Sequence, residues 1–219
     1  MWQFIVEGKM WQFIIEGGWL MFPIILFSIF ALAIVIEKFI YFSRIKVNMP
    51  ELLSQILTYA RKNRIREAIG VCEKSPSYLA NILKAGLFRY DQSKEIIKEA
   101  MENASLYEIP KLEKNLNFLS TLAHIAPLLG LLGTVVGLVG CFAAIEKYAI
   151  NVGVVNPSDL AGGIRVALHT TVAGLCVAIP SSLIYNYFIH RVSLYVLSAE
   201  RASTELLEVL SEGSYRNEV

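Results

Sequence analysis

The chain has 219 residues, of which 55% are hydrophobic, and its 20 basic and 19 acidic residues leave a formal net charge of +1. Its mean hydropathy of +0.50 is high for a soluble domain, and the balanced charge argues against nucleic-acid binding through bulk positive charge. Apolar stretches occur at three places, each near or above the roughly 20 residues that cross a hydrocarbon core of about 30 Å. We therefore predict an all-α polytopic membrane protein with three transmembrane helices.

The head of the chain contains a tandem repeat. Residues 1–8 read MWQFIVEG and residues 10–17 read MWQFIIEG. One interpretation is a local duplication, or an alternative translation start at Met10. The other is a short helix in the outer membrane interface, anchored by the tryptophan and phenylalanine side chains. In either case we predict that residues 1–17 form an interfacial or periplasmic segment.

The first predicted span covers residues 18–43. It is too long and too far from the start for the apolar core of a cleavable signal peptide, and no basic region precedes it. We therefore expect it to be retained as a helix. Glu37 and Lys38 stand together near its inner end. We interpret them as neighbouring opposite charges, with the lysine extending its ammonium to the interface.

The distribution of Lys and Arg predicts the orientation of the spans. Most of these residues lie in segment 44–118, whereas few lie in the head or in loop 146–165. Because basic residues concentrate on the cytoplasmic side, we predict that 44–118 and the tail 190–219 are cytoplasmic and that loop 146–165 is periplasmic. Regular leucine spacing in the tail predicts an amphipathic helix. The cytoplasmic segments are thus expected to form a helical bundle that extends the membrane helices.

Several signals predict helices within the cytoplasmic segment. Apolar residues recur on one face after Pro50, and Ser75 followed by Pro76 is typical of a helix start. Asp91 is the candidate N-cap of a third helix. We expect this helix to continue past Pro110 toward the second span, with a kink at the proline.

The second span, 119–145, and the third, 166–189, each carry a line of small residues spaced by three or four positions and therefore on one helix face. The candidate helix-packing residues are Gly130, Gly133, Gly137, Gly174 and Ala178, and the candidate pathway residues are Thr134, Thr171 and the adjacent Thr170. Small residues allow close approach of membrane helices. The paired threonines equally suit a hydroxyl-lined pathway, so both interpretations stay open.

Neither of these two spans contains Asp or Glu. Because an ion route through hydrocarbon normally uses an ionisable residue, a proton pathway here would need a carboxylate from a partner chain, or a histidine in its place. The three cysteines are scattered without metal-ligand spacing. We therefore expect no metal, no cofactor and no enzymatic activity.

Three stretches resemble the MotA/TolQ/ExbB proton-channel family. They are PLLGLLGTVVGLVGCF at 127–142, GIRVALHTTVAGLCVAIPSSLIYNYF at 163–188, and GGWLMFPIILFSIFALAIVIEKF at 17–39. The resemblance covers all three spans, whereas the cytoplasmic segment matches only in length and helical character. Three spans, rather than four, resemble the ExbB/TolQ branch.

The resemblance implies a homopentamer in the lipids of the bacterial inner membrane, with a periplasmic N-terminus and a cytoplasmic C-terminus. The pentamer would surround a dimer of single-span ExbD/TolR-like subunits that supply a membrane aspartate, and a TonB/TolA-like protein would carry the resulting force. Thr134 and Thr171 match the pore-facing threonines of the family. An ExbB-like role in outer-membrane transport is expected. The alternatives are a TolQ-like role in the Tol-Pal envelope system and a non-conducting membrane scaffold.

The chain departs from the family pattern at Val166, where well-known ExbB and TolQ chains have a glutamate. His169 lies about one helical turn away on the same face. We hypothesise that His169 supplies a polar or pH-sensitive group near that position. The alternative is a histidine in the membrane interface or in a subunit contact.

Overall fold

The computed structural model of the protein describes residues 15–45, 49–75, 77–151 and 157–217. Throughout these residues the regular secondary structure is α-helical, which confirms the predicted all-α fold. The tandem repeat falls largely in residues 1–14, outside the described residues. The helices are α1 (Met21–Arg44), α2 (Met49–Arg61), α3 (Ile65–Lys74), α4 (Tyr78–Leu87), α5 (Lys94–Glu113), α6 (Leu116–Asn151) and α7 (Pro157–Asn217).

Three of these helices, α1, α6 and α7, are long and apolar enough to cross a membrane, as predicted. Helix α7 has 61 residues and, at 1.5 Å per residue, is about 90 Å long, so most of it extends beyond the hydrocarbon core. In the segment predicted as loop 146–165, α6 continues to Asn151 and α7 begins at Pro157. This segment is therefore mostly helical.

The chain forms two compact units. The first comprises Met1–Glu37 and Asn115–Asn186, and the second comprises Lys38–Lys114 and Tyr187–Val219. In the first unit, Ala31 and Ile34 of α1 pack with Leu119 and Leu122 of α6. Large apolar side chains that remain exposed on this unit include Phe22, Leu128, Leu131, Val139 and Leu168. Such a surface requires lipid or protein to cover it.

In the second unit, α4 supplies much of the core. Leu79, Ile82 and Leu83 are almost fully buried, and Gly86 lets α4 approach Met101 of α5 so closely that an added Cβ would lie 2.7 Å from the methionine sulfur. Burial raises the pKa of the Cys72 thiol to about 11. This thiol is therefore protonated at neutral pH and contributes to packing rather than to nucleophilic chemistry.

Only some of the leucines in the predicted amphipathic tail helix are buried. Leu206, Leu207 and Leu210 are buried, whereas Leu194 and Leu197 are exposed. Near Leu194, α7 contacts α1 through aromatic rings instead. Phe42 of α1 stacks on Tyr195 and on Phe188 of α7, with 5.8 and 5.2 Å between ring centroids.

Helix α5 continues past Pro110, as predicted, and ends three residues later. Pro110 lies inside α5, and the helix ends at Glu113. Asn115 then adopts a left-handed backbone with φ of 65°, a conformation in which asparagine is enriched among residues with a side chain. Its carbonyl accepts the N–H of Leu119 at 3.1 Å, which starts α6.

The interpretation of Glu37 and Lys38 as an interfacial pair is wrong. Lys38 is 2% exposed, and its ammonium donates to the carbonyl of Leu112 at 3.0 Å. The Glu37 carboxylate accepts hydrogen bonds from the side-chain amide of Asn115 at 2.8 and 3.0 Å. The lysine is buried because the end of α5 lies within its reach, and no sequence pattern indicates that contact.

Two predicted helix starts are also displaced by two residues. Ser77, with an extended backbone, caps α4 by accepting the N–H of Ala80 at 3.2 Å. Ser75 instead ends α3, and Pro76 lies outside the described residues. Ser93, rather than Asp91, precedes α5. The displacement arises because several neighbouring residues are competent caps and packing selects among them.

Replacing Ser77 by alanine is expected to destabilise the protein by about 1 kcal/mol, because the N–H of Ala80 loses its acceptor. For a chain of this size the thermal midpoint in detergent should fall by roughly 2–4 °C. Ser93→Ala is the matched control, since the Ser93 hydroxyl bonds the exposed side chain of Glu95 rather than a backbone N–H of α5. Equal shifts for the two variants would contradict the assigned cap.

Candidate functional site

Helices α6 and α7 approach each other closely enough for their backbones to touch. A Cβ added at Gly130 would lie 3.0 Å from the Cα of Thr171, and one added at Gly137 would lie 2.5 Å from the carbonyl oxygen of Gly163. On the opposite helix, a Cβ at Gly174 would lie 2.5 Å from the carbonyl oxygen of Ala126. The glycines therefore form a contact that larger residues would block, as in other small-residue membrane interfaces.

Thr170 lies wholly inside this contact. It is 0% exposed, and a Cβ added at Gly133 would overlap its side chain. Its hydroxyl lies 3.0 Å from the carbonyls of Val166 and Ala167 on its own helix and 3.5 Å from that of Gly130. The structure thus places Thr170, a predicted pathway residue, between the two helices.

Thr171 lies at the edge of the same contact and is partly exposed. Its hydroxyl lies 3.2 Å from the carbonyl of Gly130 across the helix pair and 3.2 Å from that of Ala167 on α7. Because its single proton points to carbonyl oxygens, its lone pairs remain able to accept a hydrogen bond from another group. Thr171 therefore links the helix contact to an accessible surface.

Thr134 is partly exposed on α6. Its hydroxyl donates to the carbonyl of Leu131 at 2.6 Å, one turn earlier in the same helix. Threonines commonly bond their own helix in this way, so this bond alone does not indicate a pathway. The bond does fix the direction of the hydroxyl proton, so the lone pairs of the oxygen stay available to accept a hydrogen bond.

The remaining predicted packing residue, Ala178, is buried on α7. It follows Gly174 by four positions and lies on the same helix face. The described structure thus brings the predicted glycines together with Thr170 and Thr171 and leaves Thr134 on the partly exposed side of α6.

Glu16 is a charged residue near the site that the sequence did not single out. Its carboxylate oxygens lie 3.2 Å from Nη1 of Arg165 and 3.8 Å from Nδ1 of His169. His169 is mostly buried, with 23% of its side chain exposed. The hypothesis for His169 stays a prediction, and the structure adds that an acid from the head of the chain lies beside it. The repeat held no signal of this pairing, because contacts between distant segments are not encoded in local spacing.

Fold and site define a class of protein: a multi-pass, all-helical membrane protein whose two longest helices meet through glycine and present hydroxyl groups beside that contact. Comparison with known proteins makes the class specific. The model of the MotA/TolQ/ExbB proton channel family matches residues 74–201. The chain belongs to this family, which confirms the resemblance seen in the sequence.

Its relatives are ExbB-like. The chain is 31% identical over 166 residues to the biopolymer transport protein ExbB-like 3 of Synechocystis sp., an alignment that covers 76% of this chain and 78% of the relative. It is 35% identical over 118 residues to the biopolymer transport protein ExbB of Aquifex aeolicus, covering 54% and 76%. A biopolymer transport ExbB homologue of Methanothermobacter thermautotrophicus is 29% identical over 166 residues, covering 75% of this chain but only 57% of its own length.

Replacing Gly133 by alanine is expected to destabilise the α6–α7 pair by about 1–3 kcal/mol, because the new methyl group overlaps Thr170. Gly140→Ala is the matched control on the same helix, since a Cβ there meets nothing within 4 Å. Alanine also favours helix over glycine, so the control should be neutral or slightly stabilising. Thermal unfolding of the purified proteins would compare them, and a Gly133→Ala protein as stable as the control would contradict the contact.

Proposed function

We propose that this chain is the proton-channel subunit of an ExbB-type motor in the bacterial inner membrane, converting proton-motive force into mechanical work for outer-membrane transport. The observation that carries the proposal is the α6–α7 pair, in a member of a proton-channel family, with Thr134 and Thr171 on partly exposed faces. The protein acts without a cofactor and catalyses no covalent reaction.

The chemistry of the threonines supports a passive role in proton transfer. A threonine hydroxyl does not titrate, so it cannot store a proton, but its oxygen can accept a hydrogen bond from a protonated carboxyl group. Spans 119–145 and 166–189 contain no acid, which supports a carboxylate supplied by a partner. We assign that role to an aspartate of a single-span ExbD/TolR-like subunit. Its carboxyl group would form hydrogen bonds with the oriented threonine hydroxyls.

The apolar surface of the first unit supports an assembly of several copies. Because α1, α6 and α7 leave many large apolar side chains uncovered, a homopentamer can bury part of this surface between copies and leave the rest to lipid. The pentamer surrounds the ExbD/TolR-like dimer, and a TonB-like protein receives the force. The concentration of basic residues in 44–118 supports a cytoplasmic location for that segment and for the C-terminus, with the N-terminus in the periplasm.

Thr134→Val and Thr171→Val test the channel. Valine preserves the shape and removes the acceptor, and loss of one hydrogen bond in a buried setting costs about 1–3 kcal/mol, which predicts roughly tenfold or greater loss of proton-driven transport. The measurement is uptake of a TonB-dependent nutrient in cells that carry the complete motor, with membrane levels of the chain compared. Thr134→Ser and Thr171→Ser should retain most activity, because serine restores the oxygen.

Thr121→Val is the matched control on α6, since the Thr121 hydroxyl is also bonded within its own helix, to Asn117 at 2.9 Å. Its activity should equal that of the unmodified chain. Normal transport in both Thr134→Val and Thr171→Val would instead favour a non-conducting scaffold. A second experiment expresses the unmodified chain in cells that lack their own ExbB-like and TolQ-like subunits. If it restores envelope constriction but not nutrient uptake, the chain has a TolQ-like role.

His169→Val tests the proposed pH-sensitive group. If the imidazole takes part, its removal should change the dependence of transport on external pH, because the neighbouring charges of Glu16 and Arg165 would remain without it. Glu16→Gln provides the companion variant, since it removes the acid and keeps the shape. An unchanged pH profile in His169→Val would leave the histidine as a structural contact only.

A further inference from the structure

The carboxyl end of α5 presents a backbone carbonyl that needs a partner. In any α-helix the carbonyls of the last turn lack intrahelical N–H donors. Helix α5 ends at Glu113, and Lys114 leaves the helix with ψ of 135°. Leu112 belongs to that last turn and is almost fully buried. Water therefore does not satisfy its carbonyl, and the partial negative charge of the helix end adds to the need for a donor.

Lys38 of α1 supplies that donor from 74 residues away in the sequence. Its ammonium lies 3.0 Å from the carbonyl oxygen of Leu112, and 5.2 and 5.8 Å from the ring centroids of Tyr41 and Phe42. The cation thus meets a helix carboxyl end and two aromatic faces, all of which favour positive charge. These contacts lie within the second unit.

The location of Lys38 makes this contact costly to build. Lys38 lies within the apolar helix α1 and is 2% exposed. Moving an ammonium group out of water costs several kcal/mol before its new contacts are counted. Lysine is almost never fully buried in a protein unless it is paired. A methionine would fill the same volume without that cost, so the space alone does not explain a lysine.

We infer that Lys38 is a positioning residue, whose ammonium holds the carboxyl end of α5 in place within the second unit. The consequence for activity rests on the proposed function, because α6 carries Thr134. Helix α6 follows α5 in the chain after only Lys114 and Asn115, so we expect fraying of the α5 end to lower transport. The role requires a cation that donates a hydrogen bond, rather than a side chain of suitable size.

Lys38→Met, Lys38→Gln and Lys38→Arg, each in the full chain in its membrane assembly, separate charge from volume. Hydrogen exchange of the amides of residues 111–113 reports fraying of the α5 end. Loss of one charged hydrogen bond predicts roughly tenfold or faster exchange in Lys38→Met. Lys38→Arg should remain within about threefold of the unmodified chain, since the guanidinium keeps both the charge and the donors. Lys98→Met, which removes an exposed lysine of α5, should have no effect.

Lys38→Gln keeps the proposal testable if Lys38→Met does not assemble. Glutamine is a neutral donor, so exchange should fall between that of the arginine variant and the tenfold increase. Exchange equal to that of the unmodified chain in Lys38→Gln would show that the cation is not required and would overturn the inference. Exchange in Lys38→Arg as fast as in a neutral variant would overturn it as well.

Nutrient uptake measured on the same variants separates this inference from the proposed function. Uptake should fall roughly tenfold in Lys38→Met and recover in Lys38→Arg, whereas Thr134→Val should lose uptake with unchanged exchange at the α5 end. Normal uptake in Thr134→Val and Thr171→Val contradicts the channel, and the exchange data still decide the contact of Lys38. Faster exchange with normal uptake in Lys38→Met would support the contact and contradict its effect on transport.

Discussion

The close contact between α6 and α7 depends on glycine, and most of what the site offers follows from it. Within lipid, apolar surface gives no drive for helices to associate, so packing and hydrogen bonds must hold them together. Gly130, Gly137 and Gly174 remove the side chains that would separate the backbones. Carbonyls of one helix then come within reach of hydroxyls on the other, as between Gly130 and Thr171.

That contact also divides the threonines. Thr170 is enclosed beside Gly133, whereas Thr171, one residue later, reaches the edge of the pair. Adjacent residues on a helix point about 100° apart, so one hydroxyl serves the packing and the next stays accessible. A proton route built on such groups needs a titrating partner, and the carboxylate of Glu16 lies beside His169 and Arg165 rather than among the threonines.

Two charged residues of α1 form hydrogen bonds with residues near the end of α5 and the start of α6. Neighbouring residues of α1 bind different groups: Glu37 accepts from Asn115 in the first unit, and Lys38 donates to Leu112 in the second. The bond of Lys38 satisfies a buried ammonium that apolar surroundings would otherwise leave unpaired, whereas the bond between Glu37 and Asn115 is exposed to solvent. Asn115 itself adopts a left-handed backbone just before α6 begins.

The sequence by itself determined the three apolar helices, the all-α class and the family, because these depend on composition and on short, regular spacing. It also identified the glycines and threonines of α6 and α7, since helical periodicity shows which residues share a face. Only the tertiary structure decided that Thr170 is enclosed, that Glu16 lies beside His169 and that Lys38 is buried at the end of α5. These contacts join residues far apart in the chain or on different helices, and local spacing does not encode which surfaces meet.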